Sequence, residues 1–243
     1  MRKLLIPIFI GCISVSFSLI PATNSDENAE KPVASVANAP VTVYEETAAD
    51  IYNEIHLDQY GLSLAAFEYA WAGYQKLLEE DKLNNDQYLT ICDFSQPSGN
   101  RRLYIIDAAN RELIKNTFVA HGKNSGYIYA NSFSNKPESL QSSLGFFVTR
   151  STYIGKHGLS LRIDGLEKGI NDNAMKRTIV IHGADYVNAG RAVKGNFMGR
   201  SWGCPAVPAK ESNEIIKTIK DGTCFFIYHT DKNYLAGSKI LND

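Results

Sequence analysis

The sequence predicts an α+β protein: a mainly antiparallel β domain, barrel or sandwich, preceded by a helical segment. Three observations predict it. Apolar residues between positions 64 and 78 recur at three- and four-residue steps, which is one face of a helix. From residue 88 on, short β-branched and aromatic runs alternate with Gly, Asn, Ser and Asp. A single amphipathic stretch, 209–220, then falls late in the chain.

The amino terminus reads as an address. Met1-Arg2-Lys3 is a short cationic start, and residues 4–20 are an apolar run interrupted by Pro7 and Gly11. This is the layout of a secretory signal, here expected over 1–22 and ending at Ala22. A membrane anchor is the alternative and needs about 20 uninterrupted apolar residues. Cys12 invites a lipoprotein reading, but more apolar sequence follows it where a polar tether is needed. Residues 23–45 have no period and read as a flexible tether. An exported protein with no stable membrane span after signal removal is expected.

Residues 46–86 form the expected helical segment, with a break at Tyr60-Gly61 and Ser63 as the cap of the second helix. Leu64, Phe67, Ala70, Trp71, Tyr74, Leu77 and Leu78 mark its apolar face. The β domain, 87–243, is expected to hold strands at 88–94, 102–107, 113–120, 145–149, 159–163, 178–181 and 223–229. Gly222 stops the late helix.

Composition narrows the function. The chain has 243 residues and a formal net charge of −1, without the basic excess of a nucleic-acid binder. Beyond residue 20 no apolar run is long enough to span a membrane. Past the signal, three cysteines remain: Cys92, Cys204 and Cys224. Cys92 and Cys224 lie in strand-like runs, either as buried core thiols or as a disulfide. Cys204 lies in a loop between Gly203 and Pro205.

His182 ends a β-branched run, Thr178-Ile-Val-Ile-His, and Gly183 turns the chain after it. A histidine and a cysteine at loop ends are the ingredients of thiol nucleophilic catalysis. The thiolate is the nucleophile, and a free cysteine with a pKa of about 8.5 is only slightly ionised at neutral pH. A base in contact raises that fraction and later returns the proton. Gly203 permits a tight turn, whose amides can point at a developing oxyanion.

The context Arg200-Ser-Trp-Gly-Cys-Pro resembles the Ser-His-Gly-Cys signature of the YkuD-type L,D-transpeptidases, which remodel bacterial peptidoglycan. Ser142-Ser-Leu-Gly-Phe-Phe resembles that family's Thr-Pro-x-Gly-x-Phe strand, and Ile181-His-Gly its His-Gly element. The segments beginning at Ile91, Val119, Gly155 and Asn171 are similar to the murein L,D-transpeptidase catalytic branch. The resemblance covers roughly residues 50–230. It implies a YkuD-like barrel, a nucleophile at Cys204 and a base at His182. It further implies a Gly183 carbonyl that orients the histidine, and oxyanion amides at Gly203 and Cys204.

Two positions depart from the family pattern. Trp202 stands where a histidine usually precedes Gly-Cys, and Ala206 where an arginine usually follows. Arg200 is the expected replacement cation. Trp202 is expected to wall the cleft, with inward packing under the Cys204 loop as the alternative. His121, Tyr153 and Ser201 complete the expected substrate-binding set. His121 and His157 could each bind a stem-peptide carboxylate or order the site, or be a loop histidine bonded to backbone; the readings stand level for His121, and the backbone-bonded one is preferred for His157.

The resemblance implies an exported cysteine acyltransferase of the bacterial cell envelope acting on peptidoglycan stem peptides. It implies no cofactor or metal, and covalent inhibition by carbapenems. Transfer to water, making an L,D-carboxypeptidase, and a non-catalytic wall-binding module are the alternatives. A metal hydrolase using His121, His157, His182 and Cys204 would be a further rival, but no tight ligand pair supports it.

Overall fold

The computed structural model describes residues 46–243 apart from Asn196. The expected signal and tether lie outside the described residues. Helix α1 (Ala48–Glu54) opens on a capping box, in which the Thr47 side chain accepts from the Asp50 amide and the Asp50 carboxylate accepts from the Thr47 amide. A 3-10 turn at Leu57–Tyr60 closes on Gly61, the break expected from the sequence. Helix α2 (Leu64–Glu79) is capped by Ser63 and buries Phe67, Ala70, Tyr74 and Leu77. Gly73 lies on the same face: a Cβ there would come within 2.0 Å of the Phe146 ring, so only glycine lets the helix sit this close to the sheet.

Eight strands follow: β1 (Tyr88–Asp93), β2 (Leu103–Asp107), β3 (Glu112–Thr117), β4 (Gly145–Gly155), β5 (Gly158–Gly165), β6 (Val180–Ala184), β7 (Ala206–Pro208) and β8 (Cys224–Tyr228). They form one sheet in the order β3-β2-β1-β8-β4-β5-β6-β7. Five of the seven pairings are antiparallel; β1 with β8 and β6 with β7 are parallel. Beyond β3 the chain continues to Ala120, which bridges Ala206 of β7. The two ends of the strand order are thereby joined, and the sheet becomes barrel-like.

Its core is aromatic, with Phe146 and Phe226 stacked at 4.0 Å. Helix α3 (Ala189–Val193) lies between β6 and β7 in the chain, and α4 (Ala209–Ile219) buries Ile215, Ile216 and Ile219 against β5 and β6. Helices α5 (Lys232–Gly237) and α6 (Lys239–Asn242) end the chain. Buried Glu167 ties them down, accepting from the Phe146 amide at 2.7 Å and from the Tyr234 and Ser238 hydroxyls.

Strand boundaries differ from expectation at three places. The expected strand at 178–181 starts at Val180, because Thr178 is left-handed with φ 54°. The expected 145–149 strand runs on to Gly155 through a register shift between Thr149 and Thr152. The strand expected to end at 120 ends at Thr117. Cys92 and Cys224 are free thiols on adjacent strands, where Cys92 pairs with Ile227 and Cys224 with Leu89. Three residues of offset, about 10 Å of strand, exceed the reach of a disulfide.

Candidate active site

His182 sits in β6, paired with Ser160 of β5 on one side and Ala206 of β7 on the other. Its side chain is 5% exposed. Nδ1 lies 2.9 Å from the Gly183 carbonyl. A carbonyl only accepts, so Nδ1 carries the proton and Nε2 keeps its lone pair. Burial, with some repulsion from His157, pulls the His182 pKa below its ordinary value. The ring is neutral at pH 7 and able to take a proton.

Cys204 lies two residues before Ala206, on the loop entering β7. Its thiol donates to the Thr178 carbonyl at 3.8 Å. Burial pushes the thiol's pKa up, while the Val180 amide and the Arg177 guanidinium pull it down. Thiol and imidazole stand on adjacent parallel elements without a hydrogen bond between them. A neutral thiol beside a neutral base fits proton transfer during attack, not a resting ion pair.

Arg177 is the cation beside the thiol. Its Nη1 donates to the Ser134 carbonyl at 2.6 Å and to Ser143, and its Nη2 to Ser139 and the Gln141 carbonyl. Arg200, the expected cation, is turned elsewhere. It donates to the Gly126 and Lys123 carbonyls at 2.6 and 3.2 Å and lies over the Tyr127 and Phe197 rings. Those acceptors and rings hold it on the 123–127 loop.

The Cys204 loop is held on both sides. Ser142 Oγ accepts from the Gly122 amide and donates to the Gly203 carbonyl, both at 3.0 Å. Gly203 has φ 120°, and a Cβ on it would lie 2.7 Å from the Gln141 carbonyl. Its amide is not open to an oxyanion: it donates to Ser201 Oγ at 3.1 Å. Ser201 itself is buried, its hydroxyl donating to the Cys204 carbonyl and its amide to the His121 carbonyl. The expectation that Ser201 faces substrate is therefore corrected; it staples the loop.

His121 is corrected likewise. It is fully buried, and its Nδ1 accepts from Arg102 Nη2 at 2.8 Å. Burial first, then the adjacent Arg102, drop its pKa to about 3. It is a buried acceptor for Arg102, without the exposure that a ligand contact needs. Trp202 is 74% exposed, with Lys123 Nζ 5.9 Å from its ring, so inward packing is not its arrangement. Tyr153, half-buried, lies against Arg162. His157, read as a loop residue, stacks on His182 with ring centroids 4.3 Å apart. Among the described residues, no three His, Cys, Asp or Glu side chains converge as metal ligands.

The family profile of the L,D-transpeptidase catalytic domain matches residues 58–228. The chain belongs to the L,D-transpeptidase catalytic domain family. Comparison with functionally curated proteins found no match. Solved structures that resemble this L,D-transpeptidase-family chain include the L,D-transpeptidase from Mycobacterium smegmatis. It is 12% identical over 59% of each chain, with a TM-score of 0.36. LD transpeptidase LdtMt1 in complex with imipenem is 12% identical over 58% of this chain and 59% of its own, at 0.36. The L,D-transpeptidase from Xylanimonas cellulosilytica is 13% identical over 73% and 92%, at 0.33. The chain thus spans about 59% of the length of the first two. Among its described residues no helix is long and apolar enough to cross a membrane.

Arg177 is the site residue that sequence reasoning missed, and His157 the one it set aside as a loop residue. Arg177 stands directly before the Thr178-to-His182 run, and His157 in a Gly-Lys-His-Gly turn. Neither has a local spacing that ties it to Cys204 or His182. Pairing of β5 with β6 is what brings His157 to the base.

Proposed function

We propose that the protein is an exported L,D-transpeptidase with Cys204 as nucleophile and His182 as base. The observation that carries this reading is His182 itself. Its Nδ1 is committed to the Gly183 carbonyl, its Nε2 is free, and its strand pairs with the one that begins just after Cys204.

The thiol turns from the Thr178 carbonyl and gives its proton to His182 Nε2. Sulfur attacks the amide carbonyl between the third stem residue and the terminal D-alanine. The C–N bond breaks, the imidazolium returns the proton to the leaving amine, and D-alanine departs. A thioester remains on Cys204. An amine from a neighbouring stem then attacks it, losing its proton to His182, and the thiol is restored. Water in place of the amine makes the reaction an L,D-carboxypeptidase.

Intact-protein mass spectrometry with a stem tetrapeptide tests the reading. The wild-type protein is expected to gain the mass of the peptide less D-alanine, and Cys204→Ser to gain nothing and release no D-alanine. Turnover by Cys204→Ser refutes the thiol mechanism. An unmodified, inactive wild-type protein would instead favour a wall-binding module.

A further inference from the structure

Strand register assembles a second feature beside the His182–Cys204 pair. Ser160 stands directly opposite His182, Arg162 opposite Val180, and Tyr153 opposite Ser160. Directly opposite residues point to the same face, as do residues two apart on one strand. Tyr153, Arg162, Val180 and His182 therefore share a face. Val180 is also the residue whose amide meets the Cys204 sulfur. Arg162 and the thiol thus flank the same residue of β6, one from each side.

The state of Arg162 gives the feature its chemistry. Its guanidinium lies over the Tyr153 ring, 4.3 Å from the centroid. Its side-chain hydrogen bond is a long one, 3.4 Å to Ser151 Oγ. It forms no ion pair among the described residues. The carboxylate nearest along its strand, Asp164, is taken by Arg150 at 2.7 Å. The side chain is only half-buried. A planar fork of N–H donors, steadied by an aromatic face and without an anion, sits diagonally across from the base. Such a fork matches the geometry of a carboxylate, which it binds through two parallel hydrogen bonds.

We propose that Arg162, stacked on Tyr153, is a carboxylate-binding subsite, and that its ligand is the terminal carboxylate of the leaving D-alanine. This rests on the transpeptidase reading above. In that substrate only the amide nitrogen and one carbon separate the carboxylate from the scissile carbonyl. A group gripped at Arg162 would present that carbonyl to the sulfur on the far side of Val180. The subsite would also explain selection of a chain end over an internal amide, since an internal amide has no carboxylate there.

The test compares a stem tetrapeptide carrying a free terminal carboxylate with the same peptide ending in a carboxamide. Both are turned over by the wild-type protein, Arg162→Gln and Arg162→Lys. The wild-type protein should prefer the carboxylate by about 10- to 100-fold in kcat/KM, the span of a charge-assisted pair. Arg162→Gln should lose most of that preference while keeping its rate on the carboxamide, and Arg162→Lys should retain a fraction of it. An undiminished preference in Arg162→Gln overturns the proposal. Alkylation of Cys204 by neutral iodoacetamide and by anionic iodoacetate gives a reading that needs no turnover. The iodoacetate-to-iodoacetamide rate ratio should fall several-fold in Arg162→Gln, and an unchanged iodoacetamide rate shows an intact site. If no peptide is turned over by the wild-type protein, the transpeptidase reading fails and this ratio alone decides; an unchanged ratio overturns the subsite.

Discussion

The imidazole of His157 lies on that of His182, ring centroids 4.3 Å apart and planes 23° from parallel. His157 is exposed, at the turn between β4 and β5, while His182 is buried. Burial is the main cause of the lowered His182 pKa, and His157 adds like-charge repulsion. His157→Phe keeps a stacked ring and removes the charge. The His182 pKa should rise, moving the acidic limb of kcat/KM toward higher pH. An unmoved limb in that variant would show that the rings touch without electrical coupling.

Arg177 is a positioning residue for the thiol. Replacing it with Gln removes a positive charge that pulls the Cys204 pKa down, so that pKa moves further up. Iodoacetamide alkylation at pH 7 should slow by roughly 3- to 10-fold, with its midpoint displaced to higher pH. The lost bonds to the 134–143 segment should also cost about 1–3 kcal/mol of stability in urea. A destabilised variant with an unmoved alkylation midpoint would mean that Arg177 only builds the loop.

His121 makes the fold acid-sensitive. Its pKa is about 3 when folded, against 6.5 ordinarily. The unfolded chain therefore binds a proton that the folded one refuses. Stability from the neutral ring is complete above pH 6.5 and is lost as pH falls toward 3, on the order of 5 kcal/mol in all. His121→Gln keeps an acceptor for Arg102 and removes the titration. Its urea midpoint should fall less steeply than that of the wild-type protein between pH 6.5 and 4.

Trp202 is too exposed to support the core. Trp202→Ala should change stability by no more than about 0.5 kcal/mol. It should raise KM for stem peptides while leaving the alkylation rate of Cys204 nearly unchanged. Collapse of thiol reactivity in this variant would return Trp202 to a structural role.

Carbapenem treatment should place one covalent adduct on Cys204. Cys92 and Cys224 are fully buried, and burial holds both thiols protonated. Peptide mapping of the adduct reads the outcome directly, and modification at either buried cysteine would contradict the assignment.

Local pattern carried much of the fold. The α2 stripe, the β-branched runs and the Ile215-Ile216-Ile219 face of α4 each state their periodicity within a dozen residues. Strand β7 escaped detection because three residues, one of them proline, have no period to show. The polar stretch of β4 after Thr149 escaped because its bulged, partly exposed face needs no apolar alternation. In the site, His182 and Cys204 stood out by motif. The difference between Arg200 and Arg177 did not, because Arg200 is the arginine beside Gly-Cys-Pro in the sequence, while only tertiary packing brings the distant Arg177 to the thiol. The fate of Ser201 and of the Gly203 amide was equally invisible, since a hydroxyl two residues away can either greet a ligand or close a turn.

Arg102 is fully buried and forms no ion pair among the described residues. Its charge is shared among the Gln96 carbonyl at 2.7 Å, the Val119 carbonyl at 3.1 Å, His121 and the Phe94 ring. These acceptors come from two stretches on either side of β2 and β3, and a chain with only one of them docked strands a cation in an apolar interior. The cradle is therefore complete only when both stretches are docked, which couples them energetically. The residues that complete the cradle, Val119 to His121, are continuous with those that bridge β7 and receive the Ser201 amide. The thiol loop is thus built on the segment that closes the barrel, so a change that loosens the Arg102 cradle reaches Cys204 and His182 together.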